Sequence, residues 1–154
     1  MGRSRELIAG LVLAFVGLLF AAVALEVGVR ILHLEPDRFW EPDALIGSRH
    51  IAGKAGWWTQ EDREFVVPVA INAQGWRDVE RPASKPEGTL RVLVLGDSFA
   101  EAMQVPLEDS FPRRLEAELN GMQKKPVEVV NTGLSGFGTC CMFTYFREYR
   151  RQII

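Results

Sequence analysis

The longest feature in the hydropathy pattern is "LIAGLVLAFVGLLFAAVAL", residues 7–25, 19 positions without a charge. As a helix rising about 1.5 Å per residue it would extend roughly 28 Å, close to the ~30 Å hydrocarbon core of a bilayer. Shorter patterns follow. "KAGWWTQ" and "EFVVPVAIN" could pair as strands across Glu61-Asp62-Arg63, with Pro68 confining its strand to an edge because it lacks an N–H. "LRVLVLG" and "PVEVVN" are brief apolar runs of the kind covered on both faces in parallel sheets. "LEDSFPRRLEAELNG" has helical punctuation: Asp109 or Ser110 as cap, Pro112 in the first turn, Asn120-Gly121 at the end, and a stripe of Phe111, Leu115 and Leu119. The tail "CCMFTYFREYRRQII" puts Met142, Phe146, Tyr149 and Ile153 on one helical face, with Arg147, Arg150 and Arg151 toward its C-terminal end.

Strand, helix, strand, glycine loop and helix in that order predict a βαβα unit, an α/β fold with a parallel strand pair and a right-handed crossover. Ligands in such sheets gather at the C-terminal ends of the strands. Gly96-Asp97-Ser98 and the loop Gly133 to Thr139 both fall there. Three portions result: a stub and anchor at 1–34, a lead-in with the hairpin and a polar connector at 35–88, and the βαβα portion at 89–154. Trp40, Trp57 and Trp58 in the lead-in read as packing for a small satellite core, with a role as membrane-interface anchors the competing reading.

Charge decides the orientation. Arg3 and Arg5 precede the apolar run, while Glu26, Glu35, Asp37, Glu41 and Asp43 follow it. The positive-inside rule then leaves the N-terminus in the cytoplasm and exports the remainder to the periplasm or cell exterior, as a single-pass membrane protein. Ala22-Val23-Ala24 has the form of a signal-peptidase site, so a cleaved signal competes with an uncleaved anchor; both export the rest. A formal net charge of −2 argues against a nucleic-acid partner. Cys140 and Cys141 are adjacent, a spacing that fits neither zinc nor ordinary disulfide geometry. They read as two small apolar residues opening a helix, with an intermolecular disulfide as the alternative.

The candidate chemistry centres on Ser98. A serine at a sharp strand-to-helix turn exposes its hydroxyl, and its own N–H points into the same space as a potential oxyanion donor. Gly96 permits the turn, and Asp97 can accept backbone N–H bonds and brace the loop. On the residues alone, an Asp/Ser helix cap explains the same triplet.

"VLVLGDSF" followed one crossover later by "VVNTGLSGFGT", with "INAQGWRD" upstream, resembles the SGNH or GDSL hydrolase family over roughly residues 40 to 154. The resemblance implies a flavodoxin-like three-layer domain, of which this chain holds the first part. It implies Ser98 as nucleophile toward an ester carbonyl through an acyl-serine intermediate. It also implies Ser98 and Gly136 as oxyanion-hole donors, with Gly133 the other choice, and no metal or organic cofactor. The substrate class would be a small ester or an acylated glycan, since acyl transfer to cell-envelope glycans uses the same groups. Two family blocks are missing: the Gly-x-Asn-Asp asparagine, and the Asp-x-x-His that supplies the base. No histidine follows Ser98, and His33 and His50 both precede it. An unassisted serine hydroxyl is protonated and a weak nucleophile. The expectation is therefore a membrane-anchored hydrolase cut short before its base and inactive in this form. A non-catalytic membrane-anchored binding or assembly protein is the rival from another class.

Overall fold

A computed structural model describes residues 2–31, 37–60 and 64–153. They fall into two compact units, one ending at Pro36 and one beginning at Asp37. The first unit is a single helix, α1 (Gly2–Ile31). Its stretch Arg5–Ile31 is 27 residues long and apolar enough to cross a membrane. At 1.5 Å per residue that is about 40 Å, more than a bilayer core requires. Leu11, Phe15, Leu18 and Phe20 all project outward from the helix with no protein cover. A helix that is apolar all round has no polar face to turn toward water. Glu26 and Arg30 pair one turn apart near its end.

The second unit contains three two-stranded sheets, three α-helices and one short 3-10 helix (Leu107–Asp109) among its described residues. The first sheet joins β1 (Trp40–Asp43) to β2 (Gly47–His50), antiparallel with Trp40 opposite His50. Asp43 closes the turn by accepting from the N–H groups of Leu45 and Ile46, and those two bonds hold its carboxyl below the usual range. This hairpin of two four-residue strands lies within a stretch rich in Pro, Asp, Gly and Trp, which reads as a lead-in without long regular elements. Its order comes from the turn bonds of Asp43 and from burial of Ile46 and His50, which composition does not reveal.

The hairpin predicted around residues 61–63 forms: β3 (Ala55–Thr59) pairs antiparallel with β4 (Val66–Ala70), and its turn lies outside the described residues. Strand β4 alternates, with Val67 and Val69 inward while Val66, Pro68 and Ala70 face out. The inward set joins Phe39, Ile71 and Met103 in one core, flanked by Trp40 and Trp58. Trp57 points the other way and is half exposed, so it does not serve that core; neighbours on a strand face opposite sides.

The parallel pair is β5 (Leu90–Val94) and β6 (Val127–Asn131), in register from Leu90 opposite Val127 to Val94 opposite Asn131. Val129 and Val130 are fully buried, each stabilising by about 1.5–3 kcal/mol. A short helix, α2 (Ser98–Glu101), follows β5, and α3 (Phe111–Met122) makes the crossover. Pro112 occupies the first turn of α3 as predicted. Ser110 stands at the cap position, but its hydroxyl donates to Leu107 O and leaves the helix N–H groups alone. The predicted stripe fails at Phe111, which is exposed, because the chain buries Pro112 instead. The helix runs past Asn120, whose side chain pairs with both the N–H and the C=O of Val127 and so ties α3 to β6.

The last helix, α4 (Thr139–Ile153), lays Cys141, Met142 and Tyr145 against a second core of Ile46, Leu134 and Phe137. Ile153 is fully buried. The lead-in hairpin and the βαβα portion thus share cores and pack as one unit.

Candidate functional site

Strand β5 delivers Ser98 through a tight turn. A Cβ on Gly96 would lie 2.4 Å from the Cβ of Ala100, so only glycine lets the chain fold back this closely on α2. Asp97 caps the helix, its carboxylate accepting from Phe99 N at 3.0 Å. Ser98 is the first helical residue and is partly exposed. Among the described residues its hydroxyl has no hydrogen-bond partner, so capping falls to Asp97 alone.

The glycine loop lies directly beside this turn. Thr132 donates both its N–H and its hydroxyl to Val94 O, at 3.0 and 2.9 Å, and Leu134 N donates to Gly96 O at 3.1 Å. These bonds extend the strand pairing past the ends of β5 and β6. A Cβ on Gly133 would sit 2.6 Å from Glu101 N, so this glycine allows the loop to touch α2. Its N–H is already given to Asn131 Oδ1 at 3.0 Å. Gly136 is exposed, has φ +82, and has open space around it.

One turn after Ser98, Glu101 is completely buried and gathers four donors. Trp40 Nε1 reaches one carboxylate oxygen at 2.7 Å and His50 Nε2 the same oxygen at 2.6 Å. Ser135 gives its N–H, at 3.0 Å, and its hydroxyl to the other. His50 Nδ1 lies 3.2 Å from Gly75 O. Both ring nitrogens of His50 are thus engaged, one by the Glu101 carboxylate and one by Gly75 O, and neither is turned to Ser98. His33 lies outside the described residues. Glu101 escaped the sequence reading, since a lone Glu in a polar-looking turn carries no spacing signal.

A second network, also missed, holds the other side of α2. Arg77 is 1% exposed and donates to the carbonyls of Glu101, Ala102 and Val105 at 2.9, 2.6 and 2.5 Å. Those bonds cover the end of α2, where Ala102 takes a left-handed φ of 58. Burial pushes the Arg77 guanidinium below its usual range, opposed by the charges of Glu101 and Glu108. Its Nε has no partner among the described residues. Next in sequence, Asp78 pairs with Arg81 Nε at 2.9 Å and accepts from Asn131 N at 3.1 Å. Arg81 also reaches Glu116 at 2.7 Å and Val129 O at 2.9 Å. Burial alone would raise the Glu116 carboxyl, but the N–H of Val129 with Arg113 and Arg81 holds it below the usual range.

A cavity of about 290 Å³ is bounded in part by the glycine loop. Its walls are Glu41, Ile46, Arg49, His50 and Ala52 from the first hairpin and the residues after it, the turn Gln74-Gly75-Trp76, Thr132, Leu134 and Phe137 from the loop, and Tyr145 and Tyr149 of α4. Ser98 is not among them. Tyr145 and Tyr149 stack with centroids 4.8 Å apart, and Tyr145 Oη accepts from Trp76 Nε1 at 2.7 Å. Burial pushes the Tyr145 phenol up to about 12, against the bond from Trp76. Cys140 and Cys141 are free thiols, the first exposed and the second against the core. No cluster of three or more metal-ligating side chains occurs among the described residues. Neither a family model nor a curated protein sequence matches the chain.

Proposed function

We propose that this chain carries the nucleophile turn of an SGNH/GDSL-like serine hydrolase on an N-terminal membrane anchor. One observation supports this most: the Gly96-Asp97-Ser98 turn and the glycine loop are joined by the Leu134 N to Gly96 O bond. That junction sets an uncommitted serine hydroxyl beside a loop with an open glycine. In this reading Ser98 attacks an ester carbonyl and gives an acyl-serine, releasing the alcohol portion; water or an acceptor hydroxyl then takes the acyl group. The N–H groups of Ser98 and Gly136 stabilise the oxyanion. Gly136 suits that role better than Gly133, whose N–H is occupied by Asn131. Asp97 braces the turn.

His50 is the only histidine among the described residues, and its two ring nitrogens are engaged by Glu101 and Gly75. No histidine among the described residues is left to serve Ser98, and serine chemistry without a base retains only about 10³–10⁴-fold over water. The test is chemical rescue. A fluorophosphonate probe should label the chain feebly, more strongly with added imidazole, and not at all in Ser98→Ala. A folded protein that stays unlabelled with imidazole would count against the serine-hydrolase reading and favour a non-catalytic binding or assembly role.

In the same reading α1 is a single-pass anchor with its N-terminus in the cytoplasm, given Arg3 and Arg5 before it and the acidic residues after it. An alkaline phosphatase fused after Ile154 should be active in cells; an inactive fusion would reverse the orientation.

A further inference from the structure

We infer that the cavity bounded in part by the glycine loop is a binding site for a neutral, hydroxyl-rich ring such as a single pyranose unit. The inference does not rest on the hydrolase reading, because Ser98 takes no part in the cavity wall.

Three features define the ligand. The first is shape: about 290 Å³ is the low end of small-molecule sites, enough for one small ring and too little for a long chain. The second is the wall. Phe137, Tyr145 and Tyr149 all line it, Phe137 tilted against Tyr145 with centroids 6.1 Å apart and Tyr145 stacked on Tyr149, so the wall offers aromatic carbon to the C–H groups of a sugar.

The third is the balance of polar groups. Arg49 and Glu41 pair through one carboxylate oxygen at 2.7 Å, so their charges cancel and the site selects neither an anion nor a cation. The pairing uses Arg49 Nε and Nη2 and leaves Nη1 as a donor and Glu41 Oε2 as an acceptor. Gln74 spends its amide nitrogen on Arg81 O and keeps its carbonyl oxygen. Tyr145 Oη is already an acceptor for Trp76, which leaves its O–H to donate, and burial keeps that phenol protonated. The Tyr149 hydroxyl has no partner among the described residues. Interspersed donors and acceptors of no net charge match vicinal hydroxyls, each of which both donates and accepts. An aliphatic ligand would offer these groups no hydrogen-bond partner.

The test uses the full chain in lipid nanodiscs, free of glycoside detergents, and saturation-transfer NMR with four probes: glucose, N-acetylglucosamine, glucuronic acid and glucosamine. Saturable binding is expected for at least one neutral sugar, with both charged sugars at least tenfold weaker. Tyr149→Ala and Arg49→Ala should each weaken it tenfold or more; Arg49 is largely exposed, so its variant keeps the test valid if the tyrosine variant misfolds. Ser98→Ala should bind within twofold of the parent. Four results overturn the proposal: no saturable binding of either neutral sugar to folded protein, charged sugars binding as well as neutral ones, parent-like binding in the folded cavity variants, or loss of binding in Ser98→Ala.

Discussion

Two segments hold the helix that begins at Ser98, and they do so by opposite means. Strand β5 brings the serine in through an apolar run paired to β6, whose register is set by backbone bonds and buried valines. The segment Asn72–Arg81 has no regular structure at all, yet it buries Arg77, Asp78 and Arg81. It secures the far end of α2 and the crossover helix by donating to backbone carbonyls and a carboxylate, and the start of the glycine loop by accepting the Asn131 N–H on Asp78. The apolar strand determines where the turn is; the buried charges determine how rigidly it is kept. Buried charges lower the energy only when every partner is present, so the polar segment should be the more fragile of the two.

Arg81→Ala strikes that segment hardest. It strands the buried Asp78 without its cation and leaves Glu116 with Arg113 alone, and urea unfolding of the full chain should show a loss of about 3–5 kcal/mol. Gly133→Ala attacks the junction between the two segments, since the new methyl would meet the backbone of α2; a loss of about 2–3 kcal/mol is expected. On the apolar side, Val129→Ala removes two buried methyls and should cost about 2 kcal/mol. A larger loss there than in Arg81→Ala would break the comparison.

Tyr145→Phe is gentler. It leaves Trp76 Nε1 without its acceptor and should cost about 1 kcal/mol near neutral pH. The folded state holds this phenol protonated up to about 12, against an ordinary value of 10.0. Between those values the native state binds the extra proton, so stability falls as pH rises through that window. In Tyr145→Phe that part of the alkaline loss should vanish, as equilibrium unfolding at pH 9 to 12 can show. Ser98→Ala comes last, within about 0.5 kcal/mol of the parent by the same urea assay. Its hydroxyl bonds to nothing among the described residues, so a larger loss would make Ser98 a structural residue.

The sequence by itself determined the elements whose information is local. The apolar helix, the hairpin around residues 61–63, the parallel strand runs, Pro112 at a helix start and the adjacency of the two glycine-bearing loops all follow from periodicity and turn chemistry. Ser98 and Asp97 were legible for the same reason, because a strand-to-helix turn is written in consecutive residues. Only the tertiary structure decided that Glu101 sits at the meeting point of Trp40, His50 and Ser135, or that Arg77 covers the end of α2. Those partners are 24 to 61 residues apart. A charge in a turn looks solvated until the fold surrounds it with carbonyls and opposite charge, and burial is a property of all the neighbours together. The same holds for Phe111, left exposed where helical spacing pointed inward, and for the aromatic cavity, whose walls come from four separate stretches of chain.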